Sequence, residues 1–256
     1  MTPPVDVHAS IGGVPYRDVP HPEAAILARV LAREQVRGAW VGDLPSAFAA
    51  DPHMGHDAFF TALAPHPELR PTPTVHPGLG GWDVALDAAR ARGAVAVRAY
   101  PAQWGLAPDA PEMRALAGRC ALLGLPVVLT AHLEPQAGDS FRADSADAAR
   151  ACLGADARVR VLVLAADRAT VERTRAGLAA EADARLWWDL SRIAGPPADD
   201  LAHLLRAAGA ARFVYGSGWP LRLTQVPRAQ LELLPPDLAG AALADADLVG
   251  APRRAT

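Results

Sequence analysis

The chain contains little cysteine, and this bears on the cellular compartment in which we expect it. Only two of its 256 residues are cysteines, Cys120 and Cys152, and both fall in segments whose apolar residues follow a helical pattern. We expect two small buried side chains rather than a disulfide or a redox pair, because a free cysteine commonly behaves as a small apolar residue. A reducing cytoplasm is therefore the expected location.

The sequence also lacks the features of membrane-spanning, secreted and nucleic-acid-binding proteins. No apolar run reaches the roughly 18 residues that a membrane-spanning helix needs, and "MTPPVDVHAS" lacks the basic and apolar regions of a signal peptide. The formal net charge is −3, and the longest basic run is Arg253-Arg254. We expect no export, no membrane span and no nucleic-acid partner.

Several common catalytic motifs are missing as well. There is no glycine-rich phosphate loop, no Cys-x-x-Cys, no Gly-x-Ser-x-Gly and no His-Glu-x-x-His. The stretch "YGSGWP" places Ser217 between two glycines, but a proline follows where a nucleophile elbow would enter a helix. We interpret Ser217 as a turn residue.

What the sequence does contain is a regular alternation of strand and helix patterns. Eight short apolar runs recur, at residues 5–9, 38–42, 70–77, 94–101, 125–132, 160–166, 184–190 and 211–217. Segments with apolar residues at helical spacing separate them, and strands that are apolar on both faces are typical of a parallel sheet. The pattern predicts an α/β fold, a (β/α)8 TIM barrel that forms a single domain over residues 1–256, with an open doubly wound sheet as the alternative.

In a TIM barrel, functional residues collect at the carboxyl ends of the strands. This rule selects the following residues: His8, Ser10, Asp43, His76, Arg98, Tyr100, His132, Glu134, Ala166, Asp167, Asp189, Ser191, Ser217, Gly218 and Trp219. We interpret His76 as a turn residue. Five other histidines are expected in loops or on helices away from this end, namely His21, His53, His56, His66 and His203.

Three stretches of the chain carry a family resemblance. The segments "VDVHASIGG", "VRAYPAQWGL" and "LLRAAGAARFVYGSGWP" resemble amidohydrolase-related proteins of the type that includes decarboxylases and lactonases. In that family the first strand carries His-x-His and the last reads Gly-Ser-Asp-x-Pro. The resemblance spans nearly the whole chain and implies hydrolase or lyase chemistry on a small carboxylate or lactone.

The resemblance also implies a metal site with five ligand positions, of which this chain retains two. His8 matches the first histidine and His132 lies near the fifth-strand histidine, whereas Ser10, Ala166 and Gly218 occupy the other three positions. A neutral hydroxyl is a poor ligand for a divalent cation, and two histidines alone hold zinc weakly. We therefore expect no cofactor, or at most a weakly held divalent metal between His8 and His132.

The remaining candidates are acid/base and substrate-binding residues. We expect catalysis by His8, His132 and Glu134, because histidine exchanges protons near neutral pH. Substrate binding is assigned to four residues, Arg98, Tyr100, Asp189 and Trp219. The Arg98 guanidinium should pair with a carboxylate such as Asp189 or Glu134, or face an anionic ligand. Asp167 is interpreted as a helix N-cap.

Three functions remain open at this point. The first is a hydrolase or lyase without a tightly bound metal. The second is a non-catalytic barrel that binds a ligand or serves assembly. The third is a metal-dependent hydrolase whose site is rebuilt from Glu134, Asp167 or Asp189. A small-molecule ligand and a homo-oligomer are compatible with each.

Overall fold

The computed structural model describes residues 3–16, 18–20, 22–131, 133, 145–193, 200–241 and 243–250. Within these residues eight parallel strands alternate with helices, which confirms the predicted α/β fold and the number of strands. The strands are β1 (Val5–Ile11), β2 (Gly38–Asp43), β3 (Leu69–Pro71), β4 (Val97–Ala99), β5 (Val127–Thr130), β6 (Val161–Leu164), β7 (Leu186–Asp189) and β8 (Phe213–Val214).

The helices lie between and after the strands. They are α1 (Ala24–Arg33), α2 (His56–Leu63), α3 (Trp82–Ala91), α4 (Pro111–Leu123), α5 (Ser145–Ala155), α6 (Arg168–Arg175), α7 (Ala180–Asp183), α8 (Asp200–Ala208), α9 (Val226–Glu232) and α10 (Ala246–Gly250). Helix α4 shows how the sequence sets the boundaries. It begins at Pro111, which needs no hydrogen-bond partner in the first turn, and ends before Gly124, whose φ of 68° is left-handed. No helix in the described part of the chain has the length and apolar character needed to cross a lipid bilayer.

The eight strands form two sheets that together make the barrel. One sheet has the order β1-β2-β3 and the other β4-β5-β6-β7-β8, with every pair parallel. Single parallel bridges join the sheets, Ala9 with Trp219 on one side and Thr74 with Arg98 on the other. The chain therefore has the (β/α)8 barrel fold, but its strands do not close into one continuous ladder.

The apolar core is divided between the inside and the outside of the barrel. Interior side chains such as Trp40, Val128, Leu162 and Trp187 pack together. Trp188, the next residue, packs outward against the helices, as strand alternation predicts. Both cysteines are buried and free in that outer layer, and burial raises their thiol pKa.

Candidate functional site

Polar side chains meet inside the barrel at the carboxyl ends of the strands. Alternate residues of a strand share a face, so the residue two positions after an interior residue also points inward. Trp187 is followed by Asp189 on β7, and Trp40 is followed by Gly42 on β2. On β1 the pairing register shifts between Asp6 and Ala9. This shift brings His8 and Ser10 to the inner face at the mouth.

His8 is held by two residues of the β7 end. Its Nδ1 lies 2.6 Å from Oδ2 of Asp189 and 3.0 Å from Oγ of Ser191. Asp189 is fully buried, and the His8 side chain is 9% exposed. The carboxylate selects the tautomer with the proton on Nδ1, and Nε2 has no hydrogen-bond partner among the described residues. His8 can therefore accept a proton at Nε2 while Asp189 stabilises the resulting imidazolium.

Asp189 itself is fixed from two sides. Its Oδ1 accepts a hydrogen bond of 2.7 Å from the backbone N–H of Ala165, at the end of β6. The segment that follows β8 leaves room for the carboxylate, because a Cβ added at Gly216 would lie 2.6 Å from Oδ2 of Asp189. This close approach requires glycine at position 216.

Arg98 crosses the barrel interior from β4 and is only 1% exposed. Its guanidinium donates to neutral oxygens, namely Oγ1 of Thr72 at 2.9 Å, Oγ of Ser10 at 3.1 Å, and the carbonyls of Ala9 at 2.8 Å and Trp40 at 3.3 Å. A Cβ at Gly42 would lie 2.6 Å from the guanidinium, so that position also needs glycine. Among the described residues Arg98 has no carboxylate partner. Of the alternatives given above, the pairing with Asp189 is not formed, because Asp189 is bound to His8 and Ala165 instead.

Asp6 is a buried acid that the sequence analysis did not select. Its Oδ1 accepts from the backbone N–H of His8 at 2.9 Å and of Ser217 at 3.0 Å, and its Oδ2 accepts from Oγ of Ser217 at 2.6 Å. Complete burial raises the pKa of this carboxyl. The side chain ties β1 to the segment after β8. Ser217 is therefore a structural anchor, in agreement with its interpretation as a turn residue.

The other predicted site residues lie in different parts of the structure. Tyr100 is buried just beyond the end of β4, and its ring meets that of Trp104 edge-on at 6.1 Å. Trp219 packs against the cluster on the outer side of β1. Asp167 caps helix α6 by accepting from the backbone N–H of Thr170 at 2.8 Å, as predicted. His132 and Glu134 lie outside the described residues.

Three histidines that we had not placed in one site come together at the end of β3. The rings of His53 and His56 are 5.6 Å apart, and the backbone N–H of His76 donates to Nε2 of His53 at 3.2 Å. His56 lies 2.8 Å from the carbonyl of Thr74, and the His76 ring stacks on Trp104 at 4.1 Å. Burial lowers the pKa of His53 and His76. Because His53 lies in a short 3-10 helix and His56 at the start of α2, strand periodicity gives no signal for them.

The described residues supply few of the ligands of the metal site that the family resemblance implies. His8 already uses Nδ1 for Asp189, and Ser10 accepts a hydrogen bond from the cationic Arg98. Ala166 and Gly218 have no ligand atoms in their side chains. Within the described ranges no three His, Cys, Asp or Glu side chains are grouped so that they could hold a metal ion. The described residues therefore do not fit a divalent metal with three protein ligands.

Comparison with solved structures finds several proteins of similar fold. The 2,6-dihydroxybenzoate decarboxylase from Rhizobium is similar with a TM-score of 0.69 and 13% identity, over 99% of this chain and 97% of that one. A Burkholderia multivorans amidohydrolase with bound HEPES is similar with a TM-score of 0.63 and 13% identity, over 97% and 95%. No family model and no curated protein matches the chain. At these identities the likeness is one of fold, and it confirms the resemblance to amidohydrolase-related barrels.

One further structure corrects an expectation from the sequence. The dihydroxybenzoic acid decarboxylase from Polaromonas sp. JS666 contains bound manganese and the inhibitor 2-nitroresorcinol. It is similar with a TM-score of 0.65 and 11% identity, over 91% of each chain. Our expectation of no cofactor is contradicted by this finding, because a barrel of the same fold carries a divalent metal.

Proposed function

We propose that the chain is an enzyme that hydrolyses or decarboxylates a small carboxylate, with His8 as the residue that transfers the proton. The observation that carries the proposal is the buried contact of 2.6 Å between His8 Nδ1 and Asp189 at the carboxyl ends of the strands. The similar decarboxylase and amidohydrolase barrels support the class of reaction.

The His8 geometry suits either reaction. In hydrolysis, Nε2 takes a proton from the attacking water and returns it to the leaving group. In decarboxylation, Nε2 first takes up a proton from solvent; the bond to the carboxylate then breaks, CO2 leaves, its bonding electron pair remains on the carbon, and that carbon takes the proton from Nε2. In both cases Asp189 favours the charged imidazolium, and Ser191 helps to orient the ring. The buried Arg98 supplies positive charge for the substrate carboxylate.

The test is an assay of purified protein with and without added Mn²⁺, against 2,6-dihydroxybenzoate and a panel of small lactones and amides. Manganese is included because the Polaromonas barrel contains it. In Asp189→Asn the amide donates to Nδ1 and moves the proton to Nε2, so we expect kcat to fall about 10³-fold or more. His8→Gln should abolish turnover.

His66→Gln is the control, because His66 follows α2 at the opposite end of the strands, and it should retain full activity. Turnover that is unchanged in both Asp189→Asn and His8→Gln would refute the role of His8. No turnover of any panel member by the wild type, with or without Mn²⁺, would refute the enzymatic function.

A further inference from the structure

Four residues on the inner wall of the barrel each keep a hydrogen-bond donor that has no acceptor in the described part of the chain. We refer to them as the donor cluster, which consists of Ser10, Thr74, Arg98 and Thr130. Each member is at least nine-tenths buried, with exposed fractions of 3%, 0%, 1% and 8% in that order. The four residues belong to neighbouring parts of the wall, because Thr74 pairs with Arg98 across the seam and Arg98 pairs with Val128, two residues before Thr130.

The guanidinium of Arg98 has one N–H more than its partners accept. Its five N–H groups meet four oxygens, through one bond from Nε, one from Nη1 and two from Nη2. The second hydrogen of Nη1 has no acceptor among the described residues. Oγ1 of Thr72 accepts from Nε of Arg98 rather than from Nη1, and it donates to the carbonyl of Val41 at 2.8 Å.

The hydroxyl groups of the other three residues of the donor cluster also lack hydrogen-bond partners for their hydrogens among the described residues. Oγ of Ser10 accepts from Nη1, but its own hydrogen has no acceptor in the described part of the chain. Oγ1 of Thr74 and Oγ1 of Thr130 are buried without any hydrogen-bond partner. Buried polar groups are normally paired, and each unpaired group costs stability. The wall therefore keeps donors that a bound molecule can use.

The kind of molecule follows from the charges and the donor set. The cluster offers N–H and O–H donors, and its permanent charge is the Arg98 cation, for which no carboxylate lies within ion-pair distance among the described residues. A buried guanidinium is costly without an anion, and the one free N–H of Nη1 can donate to a carboxylate oxygen as a charge-assisted hydrogen bond. A neutral ligand would leave the charge uncompensated.

We propose that the donor cluster binds the carboxylate group of the substrate, with Nη1 of Arg98 and the hydroxyls of Ser10 and Thr74 as its principal donors and Thr130 as an additional one. This proposal rests on the proposed function and names the part of the site that recognises the substrate. It also gives a role to Ser10, the residue that stands where the family resemblance implies a histidine. Here the serine links the guanidinium to the ligand.

The test measures binding rather than turnover. Wild-type protein is titrated with formate, acetate and benzoate, and with the neutral amides formamide, acetamide and benzamide. We expect at least one carboxylate to bind and to raise the melting temperature, and its amide to bind at least about tenfold more weakly. No melting shift with any of the three carboxylates, or equal binding of acid and amide, would overturn the proposal.

Two conservative variants locate the binding site. Ser10→Ala and Thr74→Val each remove one donor and leave Arg98 in place, so each should raise the Kd of the carboxylate about tenfold. Thr74→Val should also raise the melting temperature of the ligand-free protein, because a methyl group replaces an unpaired buried hydroxyl. Thr174→Val is the matched control, since Thr174 is equally buried but lies on α6, and it should leave the Kd unchanged.

The outcomes separate this proposal from the proposed function. Carboxylate binding that is weakened in both variants, in a protein without turnover, supports the donor cluster and counts against the enzyme. Turnover that depends on His8, combined with a wild-type Kd in Ser10→Ala and Thr74→Val, overturns the donor cluster and leaves the enzyme standing.

Discussion

The acid side chains at the mouth differ in how their burial is compensated. Asp189 receives hydrogen bonds from His8 and Ala165, whereas Asp43, at the end of β2, is held through Ser46. Burial raises the pKa of Asp43 above its usual value of 3.8, and the hydrogen bonds from Ser46 offset only part of that effect. Asp43 is therefore a residue whose ionisation opposes folding.

We predict that Asp43→Asn becomes more stable relative to wild type as the pH rises. In wild type the unfolded chain releases the Asp43 proton first, so the free energy of unfolding falls as the pH rises from below 3.8 through the higher folded pKa. The asparagine variant has no carboxyl group at this position, so its free energy of unfolding does not fall for this reason. Urea denaturation of both proteins between pH 3.5 and about 7 measures the difference, and Asp57→Asn, at a carboxylate that is 96% exposed, is the control. A constant difference across this range would contradict the prediction.

At the scale of elements, the start of helix α6 is stabilised by an acidic side chain. Helix α6 follows directly after the end of β6, and Asp167 satisfies the N–H of Thr170 at its first turn. An acid placed here also interacts favourably with the positive end of the helix dipole. The position thus serves the helix, although its place beside the mouth made a metal-binding role conceivable.

Removing this cap should cost stability in a defined way. We predict that Asp167→Ala lowers the free energy of unfolding by about 1 kcal/mol, because the Thr170 N–H loses its acceptor. Asp167→Asn keeps the acceptor oxygen and should lose less than half of that amount. Chemical denaturation of the three proteins tests this, and equal losses in both variants would show that the charge rather than the cap matters.

The strands and helices could be predicted from the sequence, whereas the contacts of the site could not. Apolar runs and helical spacing depend on neighbouring residues, and all eight strands appear where these patterns indicate them. The pairing of His8 with Asp189 joins residues 181 positions apart, and it depends on the register shift in β1. Neither the shift nor the packing of Asp189 against Gly216 leaves a local pattern in the sequence.

On the scale of the whole molecule, the barrel consists of two sheets that are joined more weakly to each other than their strands are joined within each sheet. The five strands from β4 to β8 form an unbroken ladder, whereas each seam to the three-stranded sheet has a single bridge and a few backbone hydrogen bonds. Local opening requires the least free energy where the fewest hydrogen bonds must break together. The seams are therefore expected to open before either sheet.

Hydrogen exchange followed by NMR or mass spectrometry tests this expectation. The seam amides of Ser10, Gly218 and Val75, which donate to Trp219, His8 and Arg98, should exchange about tenfold faster or more than those of β5 and β6. Equal protection of seam and sheet amides would show that the barrel opens only as a whole.

The donor cluster lies across one of these seams, so a ligand bound to it would contact both sheets. Ser10 and Thr74 belong to the three-stranded side, and Arg98 and Thr130 to the five-stranded side, so the cluster spans the seam between β3 and β4. A carboxylate bound there would act as a clamp between the two halves of the barrel. Binding would stabilise the closed form of the seam, and the amide of Val75 would then exchange more slowly with solvent. The size of that decrease would measure the stabilisation.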